Sequence, residues 1–284
     1  MILAQASLGV LLRLDDRVDR DNIENFPLAV YAAQYWATHA RFENTSSRIK
    51  DAMECLFDAN KPHFATWLWI YNEDWGGRSM TTMSPEKPEA VPLYYAAMLG
   101  FRDFSEHLIA KHPEHMHARG GSVVTPLHVA AREGSTDVLS LLLEHGADME
   151  GRDGYGVTPL YRASWSGKFE AGQFLLDRGA DINARGNTGA TPLSGALCEG
   201  HVEFARMLLK RGASITTHGT NGYTPLHWAV KKESIQAVRL LLEHGADVNA
   251  RDDNGNIPSQ NSRQPEILEL LSKYGTECHL KCVE

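Results

Sequence analysis

Thr125-Pro126-Leu127-His128-Val129-Ala130-Ala131-Arg132-Glu133-Gly134, followed shortly by Leu141-Leu142-Leu143-Glu144-His145-Gly146-Ala147-Asp148, is a phrase that this chain writes more than once. Thr-Pro-Leu returns at Thr158, Thr191 and Thr224, each 33 residues after the one before. A fixed period of this length marks a row of equal units that stack on one another, and it decides the fold before any single residue is weighed.

Each period carries its own start and stop signals. Thr125 suits an N-cap, and Pro126 suits the first helical position, where a missing N–H costs nothing. Gly134, Gly167 and Gly200 stand where a chain leaves a helix through a left-handed residue, so the first helix is predicted to be short. The fourth copy has Glu233 at that place. A second helix follows, with Asp137, Glu170, Glu203 or Gln236 in its first turn, where the helix dipole favours negative charge. It is predicted to end at Gly146, Gly179, Gly212 and Gly245. Asp-Gly and Asn-Gly pairs in the segments between units predict projecting hairpin-like fingers.

Two short helices leave one side bare until a neighbour covers it. Ala130, Ala163, Ala196 and Ala229 recur on the first helix, where a small side chain lets the next helix approach. The pairs Leu142/Leu143, Leu175/Leu176, Leu208/Leu209 and Leu241/Leu242 supply a continuous core. On these residues the sequence resembles the ankyrin repeat, with its 33-residue period and Thr-Pro-Leu-His-x-Ala phrase. The resemblance implies an all-α solenoid of helix-turn-helix repeats with β-hairpin fingers. A diverged first copy begins at Val91-Pro-Leu-Tyr-Tyr-Ala-Ala97, and a shortened last copy runs from Ile257-Pro-Ser-Gln260 to Gly275. The array therefore covers 91–275 in about six repeats, 91–124, 125–157, 158–190, 191–223, 224–256 and 257–275, with a tail over 276–284. Gln260 to Gln264 offer the polar outer face that a terminal repeat needs.

Residues 1–75 do not repeat. Leu28 to His39, Ser46 to Phe57 and the apolar run Phe64–Tyr71 predict a small α-helical amino-terminal domain, joined by a Pro/Glu-rich linker over 76–90. The phrases Leu3–Leu12, Asn25–Trp36 and Pro62–Tyr71 resemble the segment that precedes the repeats in fungal NACHT-ankyrin proteins. That resemblance implies a regulatory fragment of an NTP-dependent immune or incompatibility receptor. The Gly-x-x-x-x-Gly-Lys-Ser/Thr phosphate loop of such a receptor is absent from these 284 residues. No nucleotide cofactor is expected.

A net charge of −8 argues against nucleic acid or an acidic membrane as partner, because Lys and Arg dominate affinity for phosphate. No apolar run is long enough to span a bilayer. The four scattered cysteines do not form a disulfide framework, so a cytoplasmic, monomeric protein is expected. Catalytic candidates are weak. Glu73 and Asp74 are adjacent carboxylates with no nucleophile beside them. His128 and His227 belong to the repeat phrase and are replaced by Tyr161 and Ser194, which a catalytic set would not tolerate. His112, His115 and His117 have a spacing that could hold metal, but an open His-rich loop is the plainer reading and no metal site is assigned. Cys278 and Cys282 are two ligands where a structural zinc wants four. Asn183 and Asn249 match the position that asparaginyl hydroxylases modify in some ankyrin arrays; an Asn that tolerates the turn is the alternative.

Slots that vary between copies are expected to face a groove. On the first helix these are Val129, Arg162, Gly195 and Trp228, then Arg132, Trp165, Cys198 and Lys231. The fingers add Arg152, Tyr155, Arg185, Asn187, His218, Asn221, Arg251 and Asp253. Arg, Trp and Tyr dominate interface hot spots; a Trp can also be core, but the groove is the favoured reading. A non-enzymatic scaffold that binds a partner protein is the function expected.

Overall fold

A computed structural model describes residues 2–13, 28–29, 31–32, 35–36, 47–58, 91–120 and 124–281. The Phe64–Tyr71 run, the Glu73/Asp74 pair, the 76–90 linker and Cys282 lie outside them. Packing divides the chain into two compact units, Met1–Gly121 and Ser122–Glu284, one repeat later than the sequence boundary at Val91. Among the described residues no helix is long and apolar enough to cross a membrane.

In the first unit α1 (Ile2–Leu11) lies against α2 (Ser47–Leu56). The first repeat follows as α3 (Pro92–Leu99) and α4 (Arg102–Lys111), closed by a 3₁₀ turn over Pro113–His117. Ala29, Ala32 and Trp36 are buried, while Leu28, Tyr31 and Tyr35 are exposed. The Trp36 ring sits 6.0 Å from Phe57 and 5.4 Å from Phe101, and Phe57 sits 5.6 Å from Phe104. The first repeat thus shares its core with the helices before it, which is why the compact boundary moves. Glu54 adds a polar tie, meeting His107 Nε2 at 2.6 Å and Lys111 Nζ at 2.9 Å. Burial would raise its pKa, but the hydrogen bonds from Lys111 and His107 outweigh that and hold it below the usual carboxylate range.

The second unit stacks four helix pairs: α5 (Pro126–Glu133) with α6 (Thr136–Glu144), α7 (Pro159–Trp165) with α8 (Phe169–Asp177), α9 (Pro192–Glu199) with α10 (Val202–Lys210), and α11 (Pro225–Lys231) with α12 (Ile235–Glu243). Each first helix packs on the next first helix; among the second helices α6 packs on α8 and α10 on α12, and Gly172 of α8 faces the Phe204 ring of α10. A 3₁₀ turn over Pro258–Asn261 and α13 (Pro265–Lys281) close the row; α13 continues past Gly275 into the segment expected to be a tail. Ala130, Ala163, Ala196 and Ala229 are fully buried, as are Leu142, Leu175, Leu208 and Leu241, the first of each Leu pair. Burying one Leu side chain stabilises by about 1.5–3 kcal/mol, so this column forms the spine of the unit.

The caps follow the sequence. Thr158, Thr191 and Thr224 accept from the backbone N–H three residues on, while Thr125 bonds the His128 ring instead. Gly134, Gly167 and Gly200 are left-handed, with φ of 83°, 65° and 80°. Glu233 is forced into the same place with φ 54°. The β-hairpin fingers expected from Asp-Gly and Asn-Gly are a correction: no strand forms among the described residues. Each finger is a tight turn, as where Asp153 N–H donates to Val157 C=O at 3.1 Å and Gly156 N–H to Asp153 C=O at 2.9 Å. Neighbouring fingers share single backbone bonds, Asn187 N–H to Tyr155 C=O and Asp253 N–H to Asn221 C=O. One bond per neighbour is too short a ladder to make a sheet.

Candidate functional site

The histidines of the repeat phrase are structural. His128 Nδ1 meets Thr125 Oγ1 at 2.8 Å, and its Nε2 meets Val157 C=O, on the next finger, at 3.1 Å. His227 repeats this with Thr224 Oγ1 at 2.8 Å and Asn256 C=O at 3.1 Å. A carbonyl only accepts, so Nε2 carries the proton and Nδ1 accepts from the threonine hydroxyl. Burial, only partly offset by the Val157 carbonyl, lowers the His128 pKa and favours this neutral form.

Two buried carboxylates hold the fingers above those histidines. Asp153, whose side chain is 0% exposed, accepts from Tyr155 N–H at 2.9 Å, Val157 N–H at 3.2 Å and Arg162 Nε at 2.8 Å, with Arg162 Nη2 as a further donor. Asp252 accepts from Asn254 N–H at 2.9 Å, Asn256 N–H at 2.8 Å and Asn256 Nδ2 at 3.2 Å. Burial would raise the Asp252 pKa, but these donors outweigh it and lower it. Neither aspartate stands out in the sequence. The signal that could have found them is their separation of three periods, 252 − 153 = 99, with a glycine three residues after each.

Several slots expected to face the groove are used inside the protein. Arg162 is the ion-pair partner of Asp153 and its side chain is only 19% exposed. Val129 is fully buried. Gly195 is buried because Tyr161 of the preceding repeat lies across it: a Cβ there would stand 3.0 Å from the Tyr161 ring. The finger residues bind their own or neighbouring fingers. Arg152 donates to Gly156 C=O at 2.7 Å and to Arg185 C=O, Arg185 donates to His218 C=O at 2.9 Å, and Asn187 Nδ2 donates to Gly154 C=O at 3.4 Å. His218 Nδ1 bonds Gly222 C=O at 3.0 Å, and Arg251 donates to Gly255 C=O at 2.7 Å. Asn221 takes φ 60° at its turn. Arg132 pairs with Glu133 at 2.8 Å. Asn183 Oδ1 accepts from Ser214 N–H at 2.8 Å across repeats, whereas Asn249 is exposed.

An aromatic face remains. The exposed Trp165 stacks on Tyr161, centroids 5.9 Å apart. Tyr155 is 61% exposed, with the Arg162 guanidinium 5.4 Å from its centroid. Two repeats on, the half-buried Trp228 meets Tyr223 edge-on at 5.3 Å, and exposed Lys231 lies 5.1 Å from the Tyr223 centroid and 5.2 Å from that of Trp228. Between these clusters the third copy offers Cys198, whose thiol pKa burial raises, so it presents a neutral apolar group. Burial, then Cys198, pushes the Tyr161 hydroxyl up to about 12. Tyr161 and Tyr223 were not singled out from the sequence, because they read as substitutes in the cap phrase and in a turn. An open cleft of about 690 Å³ lies elsewhere, between Glu233–Gln236 and Gln264–Glu266, and its two glutamates give it no complement to the aromatic face.

Comparison with known proteins bears on this arrangement. A family model described as ankyrin repeats, in three copies, matches residues 93–186 and 184–252, which together span 160 of the 284 residues. A curated protein of Monascus ruber, azaphilone pigments biosynthesis cluster protein L, is 30% identical over 137 residues, 45% of this chain and 29% of that protein. The chain thus spans less than a third of that relative's length. Neither match carries the NACHT-ankyrin resemblance of the first ninety residues.

Proposed function

The chain belongs to the ankyrin repeat family, and from that premise we propose that it is a non-enzymatic scaffold that binds a partner protein on the face formed by the first helices of the second unit. The observation that carries the proposal is the pair of solvent-accessible aromatic clusters, Tyr161/Trp165 and Tyr223/Trp228/Lys231, set two repeats apart along the row of packed first helices, with α9 between them. Trp165 leaves 38% of its surface accessible, enough for a partner side chain to cover. An apolar side chain of the partner fits against Trp165, and an acidic one fits Lys231. Truncating an anchor of this kind costs about 2 kcal/mol or more of binding, whereas a rim residue costs little.

The test is quantitative affinity capture from extract with the wild-type chain, Trp165→Ala, Trp165→Phe and Arg251→Ala. A specific partner should be lost with Trp165→Ala, retained with Trp165→Phe and Arg251→Ala, and the melting temperature should stay unchanged. Capture of the same proteins by all four would place the interface on another face.

A second reading rests on the NACHT-ankyrin-like phrases of residues 1–90: a regulatory fragment in which the repeats sense a ligand. A phosphate loop encoded upstream of Met1 in one continuous reading frame would favour it, and a stop codon there would remove it.

A further inference from the structure

We propose that His112, Glu114 and His115 form a binding site for one divalent transition metal of the zinc class. The sequence step is His112-Pro113-Glu114-His115, immediately after α4. Proline closes the α-helix and opens a 3₁₀ turn over Pro113–His117. In a 3₁₀ turn side chains three residues apart eclipse one another. His112 is therefore brought over His115, their rings 4.8 Å apart and 20° from parallel. The Glu114 carboxylate reaches across both, with Oε1 3.3 Å from His112 Nδ1 and 3.9 Å from His115 Nε2. One donor atom from each residue lies within 4.8 Å of the other two.

The donor set suits the ion. Two imidazoles and one carboxylate are the ligands of zinc sites that keep a position open for water. Ligand lengths of about 2.0–2.2 Å place two donors on a tetrahedral ion roughly 3.4 Å apart, so the set must contract by about an ångström. The ring planes must also turn, since parallel lone pairs do not converge on one point. The side chains of His112 and Glu114, 43% and 67% exposed, are free to make that adjustment.

Two further observations separate this cluster from ordinary surface histidines. His128 and His227 commit both ring nitrogens to hydrogen bonds, whereas His115 Nδ1 is buried without a partner and its Nε2 has only the long Glu114 contact. The neighbouring cation is neutralised, because Lys111 is held by Glu54 at 2.9 Å.

The experiment is calorimetric titration of the full chain with zinc chloride in buffer free of chelators, with cobalt(II) absorption as the readout of coordination. One equivalent should bind, and cobalt should show tetrahedral d–d bands. Losing a partner one shell out costs about 10–100-fold in metal affinity, so His112→Ala, Glu114→Gln and His115→Ala should each weaken binding about ten-fold or more. His117→Ala, outside the converging set, should leave it unchanged. If His115→Ala unfolds through its half-buried ring, the two more exposed ligands give the same reading. Absence of binding, or one equivalent that survives the double variant His112→Ala/Glu114→Gln, overturns the proposal.

Discussion

Replacing Asp153 by Asn asks whether Arg162 is a structural cation or a free one. The amide keeps an oxygen for the Tyr155 and Val157 N–H groups but turns an NH₂ toward a guanidinium that has only donors. The charge-assisted bonds that are lost are worth about 1.5–3 kcal/mol. Removing one partner of a fully buried pair costs about 3–5 kcal/mol. Arg162 is 19% exposed, so solvent recovers part of that, and the expected loss is about 2–3 kcal/mol. Asp252 is the internal control, three periods on, with amide donors and no described guanidinium bond. Asp252→Asn should therefore cost less stability than Asp153→Asn.

The assay is urea unfolding of the full chain, with a double-mutant cycle that adds Arg162→Met. Removing either partner should cost more than half as much as removing both, with a coupling of about 1.5 kcal/mol or more. Additive losses, or equal losses at Asp153 and Asp252, would refute the ion pair as an internal strut and return Arg162 to the set of partner-binding candidates.

Three other outcomes follow from the packing. Gly172→Ala gains about 0.5–1 kcal/mol of helix propensity, but its Cβ would stand 2.1 Å from the Phe204 ring, and overpacking costs about 1–3 kcal/mol; the urea midpoint should fall, and the fall should vanish when the same change is made in a Phe204→Ala background. Glu233→Gly relieves a left-handed side chain worth about 1 kcal/mol while losing the exposed Gln264–Glu233 hydrogen bond, worth less than that, so the midpoint should rise slightly; a lower midpoint contradicts the cap assignment. His128 has a folded pKa below its ordinary 6.5, so the unfolded chain takes up the proton first and stability is lost as pH falls through that value. His128→Ser, which copies the Thr191/Ser194 cap, should lose less stability than wild type between about pH 7 and about pH 5 by urea midpoint.

What was legible in the sequence was what local chemistry writes. Thr-Pro starts a helix and Gly ends one wherever they stand, so the period, the helix pairs and even the anomalous turn at Glu233 could be placed without coordinates. The fingers were misjudged because Asp-Gly and Asn-Gly specify a tight turn but not whether a ladder continues beyond it. The candidate site was only partly legible, because variation between copies has two physical causes. A slot varies freely when solvent or a partner faces it, and it also varies when its neighbour inside the protein varies in step.

The second cause explains Gly195, and it also acts at slots not expected to face the groove. Gly172 is matched by Phe204, where other copies pair Leu139 with Ala171 or Ala205 with Ala237, and Gly195 is matched by Tyr161. The same coupling runs through the cap phrase. His128, Tyr161, Ser194 and His227 are followed 25 residues later by Asp153, Gly186, Gly219 and Asp252, so aspartate takes this finger slot only where a histidine bonds that finger from below. An in-step pattern of this kind can be read from one chain, and it removes Arg162 from the surface, because Asp153 engages it. The slot of Arg132, Trp165, Cys198 and Lys231 follows no such partner from copy to copy. Its aromatic member meets Tyr161 one turn back and keeps 38% of its surface accessible, which makes Trp165 the residue on which the binding proposal stands or falls.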